Sequence, residues 1–325
     1  MLLKDLIACL FEGHGIPKKV FFRVDAGRIE GMSFGHLARC HILSKALKDY
    51  WNVETSFVMR NYTEGINNAL ALDEKVLSVD ARNSNWMRSV TDTIIFDLPT
   101  GPLQNELNIA KEKSIWTVIL DDLNNKISRA NVVLNSSILA NPSTYPKDAK
   151  LLLGPQYLIL DERFKTAKRK TKKLNDIINV LITFGGSDPD GLTYKVLKAL
   201  AKKKHKGIIF NVILGPGFTE YGRINSIISN FPSIIEVFSN PPELLSFFLD
   251  CDLAICAGGR TLYELQTLKV PTIAIASIKH EAFVIDAFLK KEALFGGLKI
   301  WSERNFLRLF KDIQSLAYVD NLFPL

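Results

Sequence analysis

The sequence predicts an α/β protein built from two doubly wound, Rossmann-like domains that face a cleft. Three observations lead there. Short β-branched, apolar runs alternate with helix-spaced apolar patterns along the chain. The alternation appears in both halves, as expected for parallel strands joined by right-handed crossovers. The length of 325 residues suits two domains of ordinary size better than one.

In the first half Val20–Val24 reads as a strand, and Leu37, Leu43, Ala46, Leu47 and Tyr50 follow at helical spacing. Val53–Val58, Thr93–Phe96, Trp116–Leu120 and Val132–Leu134 read as further strands. In the second half Ile177–Phe184 is a strand, Leu192–Ala201 a helix and Ile208–Leu214 a strand, continued by Ile234–Phe238, Leu253–Cys256 and Thr272–Ile275. The expected organisation is an N-terminal extension over 1–19, an N-terminal domain over 20–160, a basic connector over 161–176 and a C-terminal domain over 177–325. In such sheets a ligand sits beyond the carboxyl ends of the strands.

Hydrophobic residues make up 47% and charged residues 23%, which excludes a wholly disordered chain. No window has the roughly 18 uncharged apolar residues of a membrane span, so no stable membrane insertion is expected. The apolar start, Leu2 to Phe11, carries Lys4 and Asp5 and is too short and too charged for a secretory signal. Cys9, Cys40, Cys251 and Cys256 are scattered, which argues against a disulfide framework or a structural zinc site and for a reducing cytoplasm. A formal net charge of +7 favours anionic partners. Much of the excess lies in the run from Lys165 to Lys173, which lacks interleaved aromatics and reads as a solvated connector, with no nucleic-acid partner expected.

Three strand-to-helix turns carry residue types suited to chemistry. The first runs from Arg23 through Asp25, Gly27, Gly31 and Gly35 to His36, Arg39 and Cys40. His36 falls at the positive end of a helix dipole, which disfavours imidazolium and leaves the ring able to accept a proton, as a general base must. Asp25 is placed to orient it. The plainer reading is a histidine that caps or packs. The second turn is Gly185-Gly186-Ser187-Asp188-Pro189, with Asp188 suited to an N-cap and Pro189 to a first helical turn. The third is Gly258-Gly259-Arg260-Thr261, with Glu264 one turn into the helix. Glycines let the backbone approach a phosphate, helix-start N–H groups favour an anion, and a carboxylate at Glu264 can accept from both hydroxyls of a ribose. Such turns are also made for packing alone, and Glu264 is a favourable acid in a first helical turn. There is no GxxxxGK[ST] loop and no GxGxxG after the first strand.

Taken together, these turns resemble the nucleotide-sugar hydrolase family of pseudaminic acid biosynthesis and its spore-coat relatives. The opening pattern is carried by Arg23, Asp25, Ala26, Gly35, His36, Arg39 and Cys40. The middle is carried by Asp121-Asp122, Leu134-Asn135 and Gly154-Pro155-Gln156-Tyr157, with Phe164 after them. The last is carried by Phe184 to Pro189 and Ala257 to Glu264. The resemblance covers about residues 20 to 295. It implies a glycosyltransferase-B-type fold similar to the MurG type and removal of UDP from UDP-2,4-diacetamido-2,4,6-trideoxy-β-L-altropyranose, for flagellin or other surface glycans. It implies His36 as the base that activates water, with no cofactor and no metal. UDP would be held by Gly185, Gly186, Ser187, Gly258, Gly259, Arg260, Thr261 and Glu264, and the sugar side supported by Arg23, Asp25, Gly35, Arg39 and Asp97.

Three departures from the family pattern bear on the sugar. Phe34 makes the loop before His36 bulkier, Phe96-Asp97-Leu98-Pro99-Thr100 replaces an Asp-x-Tyr segment, and Lys279-His280-Glu281-Ala282 stands where an Asn-Gln pair is usual. A glycosyltransferase on the same scaffold is the alternative, with Leu2 to Phe11 and Lys18-Lys19 as an acceptor face. A non-catalytic nucleotide-sugar or nucleic-acid binder is the third reading.

Overall fold

A computed structural model describes residues 1–27, 34–80, 84–169, 178–291 and 296–316, with side chains through 312. The loop 28–33 and the Lys170–Lys173 part of the basic run therefore lie outside the described residues. The chain divides into two units, Met1–Glu162 and Arg163–Leu325.

Unit 1 contains α1 (Leu3–Leu10), β1 (Lys19–Val24), α2 (Phe34–Trp51), β2 (Glu54–Arg60), α3 (Thr63–Ala71), β3 (Val76–Val79), β4 (Thr93–Asp97), α4 (Gln104–Glu112), β5 (Trp116–Leu120), β6 (Val132–Asn135) and β7 (Lys150–Leu153). Its strands form one sheet in the order β3-β2-β1-β4-β5-β6-β7, with every pairing parallel. β1 from Val20 onward and all of β4 are buried and largely apolar, as expected where helices cover both sides of a parallel sheet. Their adjacency is the reversal in strand order, the place beyond whose carboxyl ends open α/β sheets bind ligands.

Unit 2 contains α5 (Arg163–Thr166), β8 (Ile178–Thr183), α6 (Leu192–Leu200), β9 (Ile208–Leu214), α7 (Tyr221–Ile228), β10 (Ile234–Ser239), α8 (Leu245–Asp250), β11 (Leu253–Cys256), α9 (Arg260–Thr267), β12 (Thr272–Ile275), α10 (Lys279–Lys290), β13 (Gly296–Leu298) and α11 (Glu303–Leu316). The sheet order is β10-β9-β8-β11-β12-β13, again parallel throughout, with its reversal between β8 and β11. Thr183 pairs in register with Cys256, so the two glycine turns leave neighbouring strands at the same level.

Two segments differ from the sequence reading. The leading apolar residues are core: Leu3, Leu6, Ile7, Leu10 and Phe11 are buried among α2 and the sheet, and Trp116 Nε1 donates to the Leu10 carbonyl at 3.0 Å. Residues on the inner stripe of an amphipathic helix cannot also present an acceptor face, so that mark of a transferase is withdrawn. In the basic run, Arg169 donates to the carbonyls of Cys251 at 2.6 Å and Lys269 at 3.0 Å, which ties it to unit 2. Among the described residues no helix is long and apolar enough to cross a membrane.

Candidate active site

In unit 1 the site is built on α2. Its apolar stripe, Leu37, Cys40, Leu43 and Leu47, packs into the core at helical spacing. His41, Ser44 and Lys48 form a second stripe that grips one buried carboxylate, Glu74, at 2.7, 3.0 and 2.8 Å. Burial opposes ionisation of Glu74, but these partners outweigh it and hold the carboxyl below its ordinary value. Ser44 also meets Thr55 of β2 at 2.8 Å. These contacts fix the rotation of α2 about its axis.

With that rotation fixed, His36, Arg39 and Cys40 face Asp97 at the end of β4, because i, i+3 and i+4 share a helix face. His36 Nδ1 lies 2.6 Å from Asp97 Oδ1. Arg39 donates from Nη2 to Oδ1 at 2.5 Å and from Nε to Oδ2 at 2.6 Å. Cys40 Sγ reaches Oδ2 at 3.4 Å. Asp97 has no exposed surface, and burial disfavours its charge; Arg39 and His36 more than offset this and hold it well below the carboxylate range. Arg39 also donates from Nη1 to Asp122 Oδ1, just past β5, at 2.7 Å. The Asp122 loop is anchored by Asp121, which accepts from Tyr145 Oη at 2.6 Å and from Asn125 Nδ2 at 2.6 Å.

Asp25, expected beside His36, has other partners. Its oxygens accept from Arg23 Nη1 and Nη2 at 2.7 and 2.9 Å and from the Arg60 amide at 2.8 Å. The carboxylate on His36 is Asp97, two strands' ends having met across the sheet reversal: Asp97 is in register with Val24. Arg39 and Asp97, expected on the sugar side, contact each other and His36, with Arg39 also on Asp122 and Asp97 also on Cys40. Gly35 lies in the first turn of α2.

In unit 2, Gly185 has φ +74° with open space around a notional Cβ, and Gly186 accepts from the Gly217 amide at 2.7 Å. Gly185 and Ser187 are exposed. Asp188 caps α6 from further away than expected: its oxygens accept from Leu192 and Thr193 N–H at 2.8 and 2.9 Å, so Pro189 lies before the helix and not in its first turn. Across the reversal, Gly259 is the N-cap of α9, and Arg260 and Thr261 occupy its first turn, where N–H groups lack intrahelical partners. Arg260 Nε donates to Glu264 Oε1 at 2.9 Å, so the two side chains expected on diphosphate and ribose are paired. Glu281 of α10, absent from the expected site, packs directly on Gly258 and accepts from Ser277 N and Oγ at 2.8 and 2.7 Å. Asp122 and Glu281 entered the sequence reading only within family-pattern segments and Glu74 not at all; nothing in their spacing names their partners. Among the described residues no three His, Cys, Asp or Glu side chains are grouped to hold a metal ion.

No family model matches the chain. It is 27% identical over 279 residues to an uncharacterised protein of Methanocaldococcus jannaschii, covering 82% of this chain and 57% of that one. It is 26% identical over 208 residues to the spore coat polysaccharide biosynthesis protein SpsG of Bacillus subtilis, covering 62% and 60%. It is 27% identical over 224 residues to the Helicobacter pylori pseudaminic acid cytidylyltransferase and UDP-2,4-diacetamido-2,4,6-trideoxy-β-L-altropyranose hydrolase, covering 66% and 38%. In sequence the chain is thus similar to a spore coat polysaccharide biosynthesis protein and to a pseudaminic acid pathway enzyme. It spans well under two thirds of the length of these relatives. In fold, the chain matches Acinetobacter baumannii MurG at a TM-score of 0.63 and 16% identity, covering 93% and 94%. It matches Anabaena HepE, solved in complex with UDP-glucose, at 0.54 and 12%, covering 92% of each. The fold is that of the glycosyltransferase-B enzymes, two parallel-sheet α/β units.

Proposed function

We propose that the chain is a nucleotide-sugar hydrolase that releases UDP from a UDP-linked diacetamido-trideoxyhexose for surface-glycan synthesis. The observation that carries the reading is the histidine at the sheet reversal of unit 1, 2.6 Å from a buried carboxylate. A water-activating base needs that arrangement. His36 takes a proton from water, the water oxygen bonds to the anomeric carbon, and the anomeric C–O bond breaks with inversion. The electron pair leaves with the diphosphate. Support on the nucleotide side is the pair of glycine turns at the sheet reversal of unit 2, with the open Gly185 backbone and the α9 N-terminus suited to a diphosphate. Arg260 would move from Glu264 to the diphosphate, which frees Glu264 for ribose hydroxyls. The names of the relatives and the UDP-glucose bound to HepE agree with this class of substrate.

The test is incubation with a panel of UDP- and CMP-sugars, following free nucleotide, with anomer-resolved NMR of the product. His36→Ala is expected to abolish UDP release while UDP still binds. Unchanged turnover by that variant removes His36 from the chemistry. Release that stays slow in buffer and accelerates with a lipid or peptide acceptor would mark a transferase instead.

A further inference from the structure

The reading above leaves open which nitrogen of His36 takes the proton and what decides it. Nδ1 sits between two groups of opposite preference: Asp97 Oδ1 at 2.6 Å, which accepts, and Arg39 Nη2 at 3.1 Å, which can only donate. An imidazole nitrogen can satisfy only one of them. A proton on Nδ1 serves the carboxylate; a lone pair there would serve the guanidinium.

We infer that Asp97, gripped by Arg39, is a positioning residue that fixes His36 in the Nδ1–H tautomer, so that the lone pair stands on Nε2. This rests on the reading of His36 as the base. It moves Asp97 and Arg39 out of the substrate-binding set. Geometry decides the contest at Nδ1. The carboxylate is nearer, and Arg39 has better acceptors at 2.5, 2.6 and 2.7 Å on Asp97 and Asp122. Charge agrees, since Asp97 stays ionised despite complete burial and a carboxylate in that state only accepts. As the water proton reaches Nε2, the same carboxylate stabilises the imidazolium that forms. Asp122 accepts from Nη1 on the far side of the Arg39 guanidinium.

The tautomer can be read without any substrate. In 15N-edited NMR of the wild-type protein, His36 is assigned as the one of five histidines whose signals vanish in His36→Gln. It is expected to show a protonated Nδ1 and an unprotonated Nε2. A wild-type spectrum with the proton on Nε2 overturns the inference with no variant of Asp97 required. Asp97→Ala leaves Arg39 Nη2 as the polar neighbour of Nδ1 among the described residues, so the proton should move to Nε2 and kcat should fall at least about a hundredfold with little change in KM. Asp97→Asn can keep a carbonyl oxygen toward Nδ1, so it should retain the wild-type tautomer and recover part of the rate. A merely structural role would not move the proton between nitrogens. An unmoved proton in Asp97→Ala, or a moved one with an unchanged rate, overturns the inference. Turnover that survives His36→Gln instead shows that the base assignment has failed.

Discussion

Glu281 occupies the space that a side chain on Gly258 would need: a Cβ at 258 would lie 2.8 Å from Glu281 Cβ and 3.0 Å from its carbonyl oxygen. The glycine is therefore demanded by helix α10 whatever binds nearby. Gly258→Ala is expected to displace α10 and lower the stability of unit 2 together with UDP affinity. Gly185→Ala should behave differently. Nothing lies within 4 Å of its notional Cβ, and its φ of +74° costs an alanine about 1 kcal/mol. Denaturant midpoints alongside UDP titrations separate the two, and equal stability losses would sink the distinction.

Glu264→Ala should weaken UDP binding several-fold, because the carboxylate is buried at the start of α9 and is the proposed acceptor for the ribose. Calorimetry with UDP and with uracil measures this. Equal affinity in the variant removes Glu264 from the site and leaves it as the partner of Arg260 alone.

Glu74→Ala removes the acceptor shared by His41, Ser44 and Lys48. Stranding these donors should cost about 1–3 kcal/mol of unit 1 stability. Because the same contacts set the rotation of α2, turnover should fall more than UDP binding does. Retention of full turnover at reduced stability would show that α2 is oriented by its apolar stripe alone.

His205 is buried between Phe210 and Phe310 at ring distances of 5.5 and 5.4 Å, with Nε2 donating to the Leu200 carbonyl at 3.1 Å. Burial lowers its pKa from the ordinary 6.5. The unfolded chain then takes up a proton that the folded one resists. The stabilisation is complete above pH 6.5 and is lost as pH falls below it, with a slope of at most about 1.4 kcal/mol per pH unit. Asp97 and Glu74, both depressed, lose their contributions only below about pH 4. Denaturation of the wild type and His205→Phe between pH 5 and 7.5 should show a pH slope in the first and little in the second. Parallel slopes would refute the assignment.

The central strands were legible because burial on both faces writes them as largely apolar runs, as in Val20 to Val24, broken by Arg23, and Thr93 to Phe96. Of the edge strands only β10, Ile234–Ser239, was legible. β3 reads Val-Leu-Ser-Val with exposed positions, and β13 is Gly-Gly-Leu, too short and too small to signal a strand. β7, Lys-Leu-Leu-Leu, looked like the approach to a domain break because Gly154-Pro155 follows it. The spacing of His36, Arg39 and Cys40 announced one shared helix face. It could not say which acid they meet: Asp25 is near in sequence, whereas Asp97 is 61 residues away and arrives only because β4 pairs with β1. Long-range partnership of this kind comes from sheet order, which a single sequence leaves open.

The clamp at Arg39 has an electrical consequence. Two carboxylates, Asp97 and Asp122, share one guanidinium, so with a neutral imidazole these groups carry one net negative charge among the described residues. Under the proposed reading, such a charge would favour the sugar end of the substrate over its phosphates beside His36. Buffer phosphate or sulfate in an assay would therefore compete at the glycine turns and leave the histidine unoccupied.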